Sequence, residues 1–318
     1  MRLPSRIRAQ ADVLTPRPEK SNICSMKRAA SRAQVKRKRL FREGAEAFQR
    51  IAPSAPYRYP CPICMRGFPE DALKGGRLTL DHAPQRSWPG KSVVVLTCSE
   101  CNNRAGSKLE SQMLRREVIY DFDAGTMARP ARAHLNVGGM KLNVEVTAMG
   151  KDVHIDAPEG VNDPALEQAL VSELKAGTKE ISLHFYRGFR NREALVSLLR
   201  AAYLVTFATL GYRYVLAREL KVVREQIREP SRDVIRVFSS SMAQAPPTER
   251  CLLLVERPDW LHSLGIQIGR HLVFLPWLTS EPDIYESLAK KGSIEEESEI
   301  SGRPGGWPNR PRFALDYA

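Results

Sequence analysis

The chain has 318 residues, with 49 Lys and Arg against 36 Asp and Glu, a net charge of +13. That is room for two modest domains plus tails, and the charge favours an anionic partner. Six cysteines and no apolar run after the amino terminus set the expectation of a cytoplasmic chain and exclude a disulfide-dense secreted scaffold.

Charge is unevenly placed. Residues 1–50 hold fourteen Lys or Arg and four acidic residues. This basic arm, with Pro4, Pro16 and Pro18 and few large apolar residues before Leu40, is expected to be largely disordered to about residue 30. A short helix is expected over 31–50. Lys36, Arg37, Lys38 and Arg39 form a run that would contact nucleic-acid phosphates or simply be solvated.

The most informative stretch follows. Cys61-Pro62-Ile63-Cys64 and Cys98-Ser99-Glu100-Cys101 are paired C-x-x-C knuckles, the spacing of a closed tetrahedral four-thiolate zinc site. Between them runs Arg77-Leu78-Thr79-Leu80-Asp81-His82, a strand pattern. Then come the loop Pro84 to Gly90, which contains Trp88, and the β-branched run Val93 to Leu96. A helix is expected from Ser99 to about Ile119, with Asn102 and Asn103 beside the last cysteine. Asparagine there caps a helix well. Trp88 either stacks on a base or packs locally.

Cys61, Cys64, Asp81, His82, Pro84, Gly90, Cys98, Cys101 and Asn102 fall in order on a known pattern. Residues 57–120 resemble an HNH endonuclease module of the zinc-containing ββα-metal type. The resemblance implies a metal-dependent endonuclease that hydrolyses phosphodiester bonds, with DNA the favoured substrate. It implies His82 as general base, and Asp81 with Asn102, or Asn103 in its place, holding a catalytic Mg²⁺ or Mn²⁺. Cys61, Cys64, Cys98 and Cys101 would hold a structural zinc. Arg104 and Lys108, on the first turns of the helix, would touch the nucleic-acid backbone or form an ordinary solvated face. The family's central Asn is missing from Ser92–Thr97, which bears on catalytic efficiency rather than on fold. The alternative is a non-catalytic, zinc-stabilised module of the same descent that binds nucleic acid or protein without cutting.

Residues 121–130 read as a linker. Beyond it, 130–278 read as a separate α+β domain of unassigned role with a mostly antiparallel sheet. A hairpin is expected around Gly138-Gly139, a third strand over 152–155, a helix from Asp163 to about 176, and a strand over 180–186. The run from Asn191 to about Leu210 is apolar on nearly every side but interrupted by Arg200. It predicts a buried core helix stopped at Gly211 rather than a membrane span. A helix over 215–228 and strands at 234–238, 252–256 and 265–274 follow, then a flexible tail over 279–318. His134, His154, His184, His262 and His271 are expected to be structural. The fold class predicted is thus α+β: a basic arm, a small zinc module, and a second domain.

Overall fold

The computed structural model describes residues 22–127, 130–177, 181–185, 189–242, 245–278, 283–291 and 300–313. The fold is α+β, and its strand pairs are antiparallel. The disorder expected over residues 1–21 falls outside the described residues. From Asn22 the chain is already helical, and α1 runs Asn22–Ile51. The helix extends further back than expected because Met, Lys, Arg, Ala and Gln are good helix formers, with no Pro in the run and no Gly before Gly44.

Short strands β1 (Tyr59–Pro60) and β2 (Gly67–Phe68) pair around the first knuckle. β3 (Leu78–Ala83) and β4 (Val93–Cys98) form a hairpin with Leu78 opposite Cys98 and Asp81 opposite Val95. Helix α2 (Ser99–Ala105), a π-helical turn (Gly106–Glu110) and α3 (Ser111–Asp123) follow without a break. After them come β5 (Ala131–Val137), β6 (Met140–Met149), β7 (Asp152–Asp156), α4 (Pro164–Lys175) and β8 (Ile181–Phe185). The rest is α5 (Asn191–Val215), α6 (Lys221–Arg228), β9 (Ser239–Ser241), β10 (Arg250–Arg257), β11 (Ser263–Ile268), β12 (His271–Pro276), α7 (Ile284–Lys291) and β13 (Ser301–Gly305).

These elements form two compact units, and their division differs from the one read in the sequence. Residues 114–190 make one unit. Lys20–Met113 and Asn191–Ala318 together make the other. The stretch read as a single domain over 130–278 is therefore split, and its second half shares a core with the cysteine segment.

The 114–190 unit holds a four-stranded sheet in the order β7-β6-β5-β8. Its central hairpin turns at Gly138 and Gly139, both at positive φ, as a two-residue turn between twisted strands demands. Alternate residues Ala133, Leu135, Val137, Leu142, Val144 and Val146 bury one face, joined by Leu170 of α4. Asp163 caps α4, accepting from the Ala165 amide at 2.9 Å. His134 and His184 lie opposite each other on β5 and β8.

In the larger unit α5 is the central element. The most apolar 18-residue window of this helix is long and apolar enough to cross a membrane, but 94% of it is buried within the protein. Gly211 breaks the helix at φ 70, where a Cβ would meet the Phe313 carbonyl oxygen at 2.7 Å. Tyrosines tie α5 to the chain around the first knuckle. Tyr203 donates to the Pro62 carbonyl at 2.6 Å and Tyr212 to that of Pro60 at 2.5 Å, while Tyr59 donates to the Leu96 carbonyl at 2.8 Å. All three side chains are buried, so each hydroxyl satisfies a carbonyl that water cannot reach.

The carboxy-terminal sheet runs β13-β10-β11-β12-β9. The strand read over 265–274 is two strands, because Gly269 turns at φ 59 between Ile268 and His271. Residues 234–238 are irregular, and Ile235 and Phe238 bury from a non-strand segment. The tail read as flexible holds α7, which buries Ile284, Tyr285 and Leu288, and the edge strand β13. Pro304 is tolerated there because an edge strand needs donors on one side only.

Gly44 of α1 lies against Tyr59: a Cβ there would sit 2.3 Å from Cε2 of the ring. The ring is fixed by burial and by its hydroxyl bond. A Gly44→Ala protein is therefore expected to lose about 1–3 kcal/mol through overpacking, despite the helix propensity gained. Urea denaturation at unchanged m-value measures it. A stabilised variant would show that Tyr59 can move.

Candidate metal centre and the histidine beside it

The knuckles converge. The sulfurs of Cys61, Cys64, Cys98 and Cys101 all lie within 4.8 Å of one another, with Cys61 and Cys98 buried and the other two half-buried. The first knuckle closes by local bonds: the Met65 amide donates to the Cys61 carbonyl at 2.8 Å, and the Cys61 amide to that of Arg66 at 2.9 Å. Met65 accepts a left-handed φ of 60 to make that turn. The second knuckle spans the end of β4 and the start of α2, so the four sulfurs staple hairpin, helix and β1–β2 together. Four thiolates this close repel one another, and a divalent cation is their natural counter-charge. The set fits a zinc ion with no open position for water.

Arg66 surrounds this centre from outside. Its Nε donates to Cys64 Sγ at 3.4 Å and its Nη2 to Cys98 Sγ at 3.6 Å, and it also pairs with Glu100. Donors aimed at ligand sulfurs offset the net negative charge of a four-thiolate site.

Asp81 and His82 are neighbours on β3 and so point to opposite faces of the hairpin. Asp81 faces inward. Its Oδ2 accepts from Thr97 Oγ1 at 2.7 Å and from Arg200 Nη2, and the Asp81 and Arg200 side chains are only 1% and 5% exposed. The other guanidinium nitrogen, Nη1, lies 3.5 Å from Glu110 Oε1 in the π-helical turn. Burial raises the Glu110 pKa, Arg200 opposes that, and Asp81 adds to it. Asn102 sits on the same side as Asp81. Its amide nitrogen donates to Thr79 Oγ1 at 2.9 Å and to the Leu80 carbonyl at 3.1 Å, binding α2 to β3. Asn103 is also engaged.

Of the pair expected to hold Mg²⁺ or Mn²⁺, Asp81 is thus already answered by a cation, while Asn102 is bonded through its nitrogen and not its oxygen. A divalent ion at Asp81 would lie within about 4 Å of the guanidinium, a repulsion of roughly 8 kcal/mol at an effective dielectric constant of 20. In this arrangement Asp81 is a poor ligand for a second metal, because the buried Arg200 guanidinium already stands against it.

His82 faces the other way and is half-buried. Its Nε2 accepts from Arg86 Nε at 2.8 Å. Burial first, then Arg86 and Lys36, holds its pKa below the usual imidazole value of 6.5, with Asp81 opposing. The ring is therefore neutral at neutral pH. Burial, Arg39 and Arg86 lower the pKa of Lys36 in turn. His82 thus has one cation, Arg86, hydrogen-bonded to its ring and a second, Lys36, near enough to bear on its charge.

The other residues expected at a nucleic-acid surface have separate neighbourhoods. Arg37 and Lys38 line a cleft with Glu70, Asp71 and Lys74. Arg39 pairs with Glu43 at 3.7 Å. Arg104 donates to the Arg228 carbonyl at 3.1 Å and approaches Glu100 at 3.6 Å, while Lys108 is exposed. Trp88 packs against a distant part of the chain: it is buried, edge-on to His271 at 6.4 Å. Its loop is held by Arg250, which donates to the carbonyls of Pro89 and Lys91 and whose pKa burial pushes down to about 10.

The chain matches no family model, no curated protein and no solved structure.

Arg86, Thr97, Glu110 and Arg200 were not singled out as site residues in the sequence. Only Arg200 carried a signal, as a charge inside an apolar helix, where a buried cation must have a partner.

Proposed function

We propose that the chain is an HNH-type endonuclease acting on a nucleic acid, DNA in the first instance, with His82 as its general base. The observation that carries this reading is the His82 imidazole near the end of β3, with Arg86 Nε donating to its Nε2 at 2.8 Å and its pKa held down by burial, Arg86 and Lys36. At the other end of the hairpin, where Leu78 pairs with Cys98, the four-cysteine centre anchors it. Arg86 turns from Nε2 to the phosphate. The freed imidazole then takes a proton from water as the water oxygen bonds to phosphorus. The bond from phosphorus to the leaving sugar oxygen breaks, and that oxygen takes its proton from solvent. Zinc at Cys61, Cys64, Cys98 and Cys101 is structural in this scheme.

One observation favours the second reading, a zinc-stabilised binding module that does not cut: Asp81, the expected catalytic metal ligand, is sealed against Arg200. Incubating the zinc-loaded protein with supercoiled plasmid, alongside His82→Ala, separates the two. Nicking that disappears in the variant, while its fold and zinc content stay intact, supports the nuclease. Retarded but uncut DNA supports the binder. Equal nicking by both proteins removes His82 from the chemistry.

The lowered His82 pKa gives a pH dependence. The base is lost when the ring takes a proton, so kcat/KM should fall on acidification with a midpoint below 6.5. A midpoint well above that value would place a different group in the role.

A further inference from the structure

We infer that Arg200 occupies the position at Asp81 that a divalent cation would need, so that among the described residues the protein carries one metal, at its four cysteines. On this inference Arg200 is a positioning residue, fixing through Asp81 the strand that presents His82. The role of Arg200 toward His82 rests on the nuclease reading above; the metal count does not.

Two observations carry the metal count, and a third the positioning role. Asp81 is wholly enclosed, and both donors to it, Thr97 and Arg200, reach the same carboxylate oxygen, Oδ2. The guanidinium is bracketed by a second carboxylate, Glu110, so its charge is answered on two sides. Asn102, the other expected metal ligand, is tied through its amide nitrogen to the backbone and hydroxyl of β3, bonds that fix the residue and do not use its Oδ1. Each of the two supposed ligands is thus a stitch between elements: Asp81 joins β3 to α5, and Asn102 joins β3 to α2. The stitches lie on the face of β3 opposite His82. They hold the strand end from behind without touching what binds in front.

The test is a titration of the zinc-loaded protein with Mn²⁺, read by electron paramagnetic resonance of the free ion. The expected result is no saturable binding at millimolar Mn²⁺, and the same trace for Asp81→Asn, a variant that keeps the shape of the side chain. A stoichiometric Mn²⁺ site in the native protein that vanishes in Asp81→Asn would overturn the inference. Activity gives an independent arm. Nicking by the zinc-loaded protein should change less than about twofold when Mg²⁺ is added. Arg200→Gln should lower kcat more than about tenfold with little change in KM, and Arg200→Lys should restore most of it, as expected for a role exerted on orientation. Nicking that depends on Mg²⁺ would keep the proposed function and sink this inference. If no nicking occurs at all the function fails, and the Mn²⁺ titration still decides the metal count.

Discussion

A Cys98→Ser protein is expected to lose its metal and most of the cooperative stability of the larger unit. Cys98 ends β4 and begins the turn into α2, and its amide donates to Cys61 Sγ at 3.4 Å, so one residue serves both knuckles. Structural zinc in small domains supplies apparent free energies of about 10–16 kcal/mol. Here part of that is backed by a real core, since β4 is buried along its whole length. Even a third of it, about 4 kcal/mol, lowers the melting temperature of a unit this size by roughly 8–16 °C. Elemental analysis should find about one zinc per native chain and none in the variant, with the larger unit melting earlier. The 114–190 unit has its own core and should keep its transition. A variant with full zinc content and native melting would refute the four-sulfur site.

The second large effect is expected at the Asp81–Arg200 pair. Removing one partner of a buried ion pair leaves a charge that neither water nor protein answers, which costs about 3–5 kcal/mol. Asp81→Leu and Arg200→Met should each show a loss of that size by denaturant unfolding. The double variant should be far less damaged than the sum, because the apolar replacements leave only Glu110, which still reaches solvent, without its partner. A fully additive double variant would mean that the pair does not interact. Glu110 sets the residual: with Asp81 gone it still faces Arg200 at 3.5 Å, so the single Asp81 variant should be the milder of the two.

What could be read in advance follows physical range. The cysteine spacing, the strand before His82, the glycine turn at 138–139 and the Asn191 start of α5 are local patterns, and each appears in the structure. Arg200 is different. Its partner lies 119 residues earlier, and no local pattern specifies a contact of that separation. The long apolar helix was legible as a core helix, but not as the core of the cysteine segment, because hydrophobic periodicity gives a buried face without giving its partner. β13 was invisible for another reason. Ser301-Gly302-Arg303-Pro304-Gly305 has no strand-forming side chains and is a strand only because β10 offers it a backbone edge. The irregular 234–238 segment shows the reverse: Ile235 and Phe238 bury outside any strand, with one backbone bond from the Phe274 amide to the Phe238 carbonyl.

The split of the larger unit across 114–190 also bears on how the protein is made. The knuckles and hairpin leave the ribosome well before α5 exists, so Tyr203, Tyr212 and Arg200 arrive late to a segment whose apolar β4 is already out. Contacts of such wide sequence separation form slowly and leave intermediates with exposed strands. Metal capture by the four cysteines, all present by residue 101, can hold the nascent hairpin in shape through that interval. Zinc supply during synthesis should then govern how much soluble protein a cell yields, more than zinc supply afterwards governs how long it lasts.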